Sequence, residues 1–204
     1  IYFATEVGGI LRYHTFQNQF DEPITQAQGL SSNAIRSIHF DRETGTLWAA
    51  TKHSLDYSYT REGNWTSIRY GNLALPKNVH IRRIGSSPSY VWLDGGASYL
   101  KLDRISGISL GVYTIPDEGD IHWSSSRVIA GINIPEDFAN YTVTEGWLLN
   151  GNQFLDPYGR SIDITSFYQT RFSDIWLGAA DGTLFLGNVQ METFYPFKFG
   201  FANS

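Results

Sequence analysis

No cysteine occurs in the 204 residues. That excludes a disulfide framework, a thiolate metal site and a thiol nucleophile. No run approaches the ~20 apolar residues of a membrane-spanning helix, so direct membrane insertion is not expected. Charged residues are few, 17%, and the formal net charge is −5. The densest basic spots, Arg82-Arg83 and Lys101 with Arg104, are short and interrupted. Proteins that bind nucleic acid neutralise phosphates with clustered Lys and Arg, so no nucleic-acid partner is expected. The five histidines show neither HxH nor HExxH spacing, and no metal is expected. No phosphate-cradling glycine loop is present, Gly95-Gly96 reading as a hairpin turn, and no cofactor is expected. The serine clusters lack a GxSxG context and read as turns.

What is present is glycine (20 residues) and aromatic side chains (15%), a mix that suits short strands and tight turns. The chain is organised around Ile35 to Thr60. Ile35 to Phe40 alternates apolar and polar residues, the period of a half-buried strand. Asp41 to Thr46 is polar and carries Gly45, a turn. Leu47 to Thr51 is an apolar run too short for a helix and long enough for a buried strand. Lys52 to Ser54 turns the chain, and Leu55 to Tyr59 alternates again. Arg61 to Asn64 is a further turn, and Trp65 to Tyr70 a fourth strand. One such sheet cannot bury both faces alone, so it needs neighbours of its own kind.

Copies of the stretch recur. Ile1 to Thr5, Val91 to Gly95 and Ile175 to Ala179 line up with Leu47 to Thr51. The anchors Tyr2, Trp48, Trp92 and Trp176 lie 46, 44 and 84 residues apart. The double gap calls for a divergent copy, placed at Arg127 to Ile132. A period of ~40–45 residues with four strands per unit is that of propeller blades. The fold class expected is all-β, a β-propeller with about five four-stranded blades, at roughly 1–28, 29–76, 77–117, 118–160 and 161–204. Ile121 to Ser124 is read as the fourth inner strand, and Asn150-Gly151 as a type I′ hairpin turn. The chain opens on Ile1 rather than methionine, and both ends fall inside the repeat. The expectation is therefore a section of a larger ring.

Gly29-Leu30-Ser31-Ser32-Asn33, a strand ending in Asp41, the turn with Gly45, Leu47-Trp48-Ala49-Ala50-Thr51 and the closing strand Leu55 to Tyr59 resemble the repeat of the two-component regulator propeller family. Weaker copies extend the resemblance over most of the chain. It implies a non-catalytic binding module of a bacterial sensor or surface-assembly protein, in the periplasm or at the cell surface. It also implies a glycan or other small-molecule ligand, and a protein partner or the remainder of the protein's own chain. These motif residues are packing and turn residues and say little of chemistry.

Candidate ligand-binding residues come from the residues around this scaffold. His39, His80 and His122 fall on the inner strands of three successive units. A channel-lining set is one reading, and packing or surface exposure the other. Trp65, Trp123 and Trp147 lie off the repeat anchor, where an aromatic ring can stack on a sugar or a partner. The irregular stretch Asn133 to Trp147, with Asp137, is where a binding surface would depart from the scaffold. The ligand-binding set is thus His39, His80, His122, Trp123, Asp137 and Trp147, with no catalytic residue. The competing function is a polysaccharide lyase or glycosidase, with His39, His80, Asp94 and His122 converging at a channel mouth. A third is a structural brick in a filament. Asp41, Asp174 and Asp181 sit at turns, where aspartate bonds backbone amides.

Overall fold

A computed structural model describes residues 1–61, 63–76, 79–124, 126–127, 138–170 and 174–198. The expected copy at Arg127 to Ile132 lies, beyond Arg127, outside the described residues. The chain forms two compact units, Ile1–Ser124 and Ser125–Ser204. Among the described residues the regular structure is all β apart from two 3-10 turns, Gln26–Gln28 and Tyr70–Leu73.

The first unit holds three antiparallel sheets in chain order. The first is β1 (Tyr2–Ala4), β2 (Ile10–His14) and β3 (Gln19–Phe20). The second is β4 (Ser37–Phe40), β5 (Leu47–Ala50), β6 (Ser54–Ser58) and β7 (Thr66–Arg69). The third is β8 (Arg83–Ser86), β9 (Tyr90–Asp94), β10 (Tyr99–Asp103) and β11 (Ser109–Tyr113). Each runs as a meander, so consecutive strands pair and the connecting turns stay short.

Strand β5 explains why the sheets stack. All four of its residues, Leu47, Trp48, Ala49 and Ala50, are wholly buried. Successive side chains point to opposite faces of a strand. Leu47 and Ala49 enter a core with Ile10, Ile24, Leu30 and Ile35. Trp48 and Ala50 enter another with Ile84, Val91, Leu93, Leu100 and Leu102 of the third sheet. One central strand therefore serves two cores, as a continuous apolar run allows and an alternating one does not.

Two-sided covering also changes how the alternation in β4 is used. Ser37 and His39 are its buried members, while Ile38 and Phe40 are only half-buried. The register sets His39 opposite Trp48 and Ser37 opposite Ala50, on the face turned to the third sheet. Buried polar side chains need partners, and His39 finds one in Ser86 on β8, at 2.9 Å. Farther along, Asp41 at the end of β4 takes both arms of the Arg104 guanidinium from the third sheet. Arg104 also reaches Glu43, at 2.7 Å. Burial alone would raise the Asp41 carboxyl, but hydrogen bonds from Arg104 and Thr44 and the Arg104 charge hold it below the usual carboxylate range.

The structure differs from the sequence reading at Ile121 to Ser124. His122–Trp123 is a strand, β12, but it pairs antiparallel with β8 and widens the third sheet to five strands. Gly85 makes this fit. A Cβ there would stand 2.7 Å from Ile121 and 2.8 Å from the Trp123 ring. The Arg83 guanidinium lies 4.2 Å from the centre of that ring.

The second unit contains β13 (Ser126–Arg127), β14 (Thr142–Val143), β15 (Leu148–Asn150), β16 (Gln153–Leu155) and β17 (Ser161–Ile162). It continues with β18 (Ile164–Gln169), β19 (Asp174–Ala179), β20 (Thr183–Asn188) and β21 (Thr193–Lys198). Strands β18 to β21 form a meander, flanked by β13 on one edge and by a parallel β14 on the other. Strands β15 to β17 form a separate three-stranded sheet. Its first hairpin lies where Asn-Gly predicts one. The loop residues are Gly151 and Asn152, however, and of the two only Gly151 has positive φ, the II′ rather than the I′ pattern. The core is aromatic: Phe138, Trp147, Phe154, Phe185 and Phe194 are buried together. Gly187, opposite Phe194, leaves room for that ring, which a Cβ would approach to 2.3 Å.

Arg104→Ala strands a buried carboxylate and is expected to destabilise the first unit by about 3–5 kcal/mol. Removing the charge as well, in Arg104→Met with Asp41→Asn, is expected to recover most of that loss. Urea unfolding checks both. A cost below ~1 kcal/mol for the single variant, the range of an exposed pair, contradicts the assignment.

Candidate functional site

The residues singled out in the sequence separate in space. His39 lies in β4, nearly buried, its Nε2 on the Ser86 hydroxyl. Burial lowers its pKa to about 4; Asp41 opposes the shift, while Arg104 and His122 add to it. His122 stands on β12, exposed, with its backbone paired to Ser86. His80 is exposed in the loop before β8, its Nδ1 3.0 Å from the Arg36 guanidinium. A guanidinium only donates, so that nitrogen accepts. Trp123 is half-buried under Arg83. Trp147 belongs to the second unit's core, 4.9 Å from Phe185. Trp65 packs, partly buried, on the core between the first two sheets. Asp137 lies outside the described residues.

Asp94, the carboxylate of the lyase reading, is tied at both oxygens. Oδ2 accepts from Arg83 at 2.8 Å and Oδ1 from the Gly96 amide at 2.8 Å. At the turns, Asp41 and Asp181 accept backbone amides of Glu43 and Thr183.

Of the recesses formed by the described residues, two lie elsewhere. The larger, about 390 Å³, belongs to the second sheet. It falls within the roughly 300–1,000 Å³ of small-molecule sites. Ser31 and Ser32 from the loop before β4 line it, with Thr51, Lys52 and His53 from the β5–β6 turn, Ser54 from β6, and Ser67 and Arg69 from β7. Period-two alternation brings the β7 pair to it. Arg69 is opposite Ser54 and Ser67 opposite Asp56, so all four share a face, while Ile68 points to the other.

Asp56 lies beneath, wholly buried. Its Oδ2 accepts from the Ser31 amide at 2.8 Å and the Ser31 hydroxyl at 2.7 Å, and its Oδ1 is buried with no partner. The Ser31 hydroxyl lies 2.7 Å from that of Ser54, which lies 2.8 Å from that of Thr51. Lys52, His53 and Arg69 are exposed, and none of them forms an ion pair among the described residues. Two cationic side chains thus line a recess whose Ser31 hydroxyl is bonded to a buried Asp56, in a chain whose net charge is −5. In the sequence, Ser31-Ser32 and Lys52 to Ser54 read as separate turns. The signal of the site was Asp56, a charge in the middle of a strand flanked by Leu55 and Tyr57.

The smaller recess, about 320 Å³, belongs to the second unit and is lined by Asn150, Asn152, Gln153, Ser161 and Asp163. It carries no cation, and Asn152 and Gln153 already bond Phe138 and Ser161. None of His39, His80, His122 or Asp94 lines either recess.

No family model matches the chain, and no curated protein is similar to it. Among solved structures, two extracellular domains from B. thetaiotaomicron are similar in part. One is assigned to a hybrid two component system, BT3049, with 15% identity and a TM-score of 0.42 over 99% of this chain and 27% of that one. The other is assigned to a one component system, BT4673, with 12% identity and a TM-score of 0.43 over 95% of this chain and 39% of that one. The chain thus spans well under half of either. Superpositions this loose say nothing of ligand or activity.

The depressed His39 value has a consequence for stability. Between the ordinary 6.5 and about 4 the unfolded chain takes up a proton at His39 that the folded chain refuses. The contribution is complete above pH 6.5 and is lost as pH falls toward 4, on the order of 3 kcal/mol in all. Urea midpoints between pH 7 and 4 should fall in the wild type and fall markedly less in His39→Gln. Equal slopes in the two proteins contradict a buried neutral His39.

Proposed function

We propose that the chain is a non-catalytic binding module, a section of a β-propeller in an extracytoplasmic bacterial sensor or surface protein. It takes its ligand at the recess between Ser31 and Arg69. The observation that carries this reading is the recess itself, with Lys52 and Arg69 unpaired above a buried carboxylate. Elsewhere in the first unit Arg104 pairs with Asp41 between sheets, Arg83 with Asp94 within the third sheet, and Lys101 with Asp117 of that sheet's own loop. A catalytic reading needs acid, base and histidine converging at one cleft, and none of His39, His80, Asp94 and His122 lines either recess.

Three successive meanders packed face to face support the propeller reading, together with the ~45-residue spacing of Tyr2, Trp48 and Trp92. The extracytoplasmic setting rests on the resemblance of Gly29 to Thr60 to the regulator propeller repeat.

A panel of small neutral and anionic compounds, screened by ligand-observed NMR, tests the assignment. At least one compound should bind the wild type and fail to bind Lys52→Glu/Arg69→Glu. Both side chains are exposed, so the double variant should unfold at an unchanged urea midpoint. Binding that survives in the double variant, or no binding at all, removes the recess as the site.

A further inference from the structure

The hydroxyls beneath the recess are fixed in direction, and that selects a ligand. As a carboxylate, Asp56 only accepts. The Ser31 hydroxyl, 2.7 Å from Oδ2, must give its single hydrogen there. At the 2.7 Å contact between Ser31 and Ser54, Ser54 is therefore the donor. The Ser54 hydrogen is thereby spent, so at its 2.8 Å contact with Thr51 the Ser54 oxygen can only accept, while the Thr51 hydroxyl also reaches the Ser54 carbonyl at 3.1 Å. Two hydroxyl hydrogens, those of Ser54 and Ser31, run in sequence toward Asp56. Ser31 and Ser54 consequently present lone pairs to the recess and have no hydrogen to offer.

The rim has the opposite character. Lys52 and Arg69 have only donors. A ligand that satisfies both must donate hydrogen at the floor and carry negative charge at the rim. The geometry points to a small hydroxylated oxyanion, a polyhydroxy acid, held with its hydroxyl groups on Ser31 and Ser54 and its anionic group on Lys52 and Arg69. This rests on the proposed function at the same recess and adds the chemical class of the ligand. A simple anion leaves the acceptors at the floor unmet, and a neutral polyol leaves the cations unmet.

Isothermal titration of the whole chain with D-gluconate, D-glucose, acetate and sulfate tests the class. Gluconate should bind most tightly. Arg69→Gln removes a charge-assisted hydrogen bond and should weaken gluconate roughly ten- to a hundredfold. Ser54→Ala removes a neutral acceptor and breaks the relay; it should weaken gluconate roughly three- to tenfold while leaving sulfate unchanged. Because Arg69 is exposed, its variant keeps the test valid if Ser54→Ala unfolds. Glucose or sulfate binding at the recess as tightly as gluconate overturns the ligand class and leaves the recess as a binding site. Binding of every probe unchanged in Arg69→Gln and Ser54→Ala overturns the site as well.

Discussion

The first unit depends on one strand being dry on both faces. Leu47, Trp48, Ala49 and Ala50 are fully buried, with alternate side chains committed to opposite sheets. A meander of four short strands has too little apolar surface to stand alone. Stacked on both sides, it buries Trp48 against the third sheet and Leu47 against the first. Small residues at Ala49 and Ala50 let neighbouring layers close in, and aromatic stacking of Trp48 on Tyr57, 4.8 Å apart, fills the interface that faces the third sheet.

Covering both faces forces the treatment of polar groups. A half-exposed sheet sends its polar side chains to water, and a sandwiched one cannot. In the first unit they become bonds between sheets or between sheet and loop. His39 meets Ser86, and Asp41 meets Arg104. Lys101 lies 3.9 Å from the centre of the Tyr90 ring and donates to Asp117, while the Trp92 indole donates to Glu118. The acidic loop after the third sheet is thereby tied back onto it. At the recess Lys52 and Arg69 form no ion pair among the described residues, and Asp56 keeps one oxygen without a partner.

Much of this was legible in the sequence. The strand sets 35–40, 47–51, 55–59 and 65–70 legible in the sequence lie within two residues of the observed bounds, because an apolar run bracketed by turn residues leaves little choice. The pairing of His122–Trp123 with β8 was not legible. It depends on a ring lying over Gly85, a contact between residues far apart in sequence. Trp147 looked available because it is off the repeat anchor, but the repeat describes only its own packing, and the second unit has a separate aromatic core. The burial of His39 rather than Ile38 could not be read either, since alternation tells which residues share a face and not which face is covered. The recess went unread because its residues come from a loop, a turn and two strands. Only Asp56, a lone charge among strand residues, marked it.

Native-state hydrogen exchange tests the central dependence most directly. Leu47 faces the core it shares with Ile10 and Ile35, away from β9. If β5 binds the three sheets into one cooperative body, Leu47→Ala lowers the opening free energy of slow amides in β2, β5 and β9 alike, by about 2–5 kcal/mol. Loss of protection confined to the first two sheets, with the β9 amides unchanged, contradicts the account.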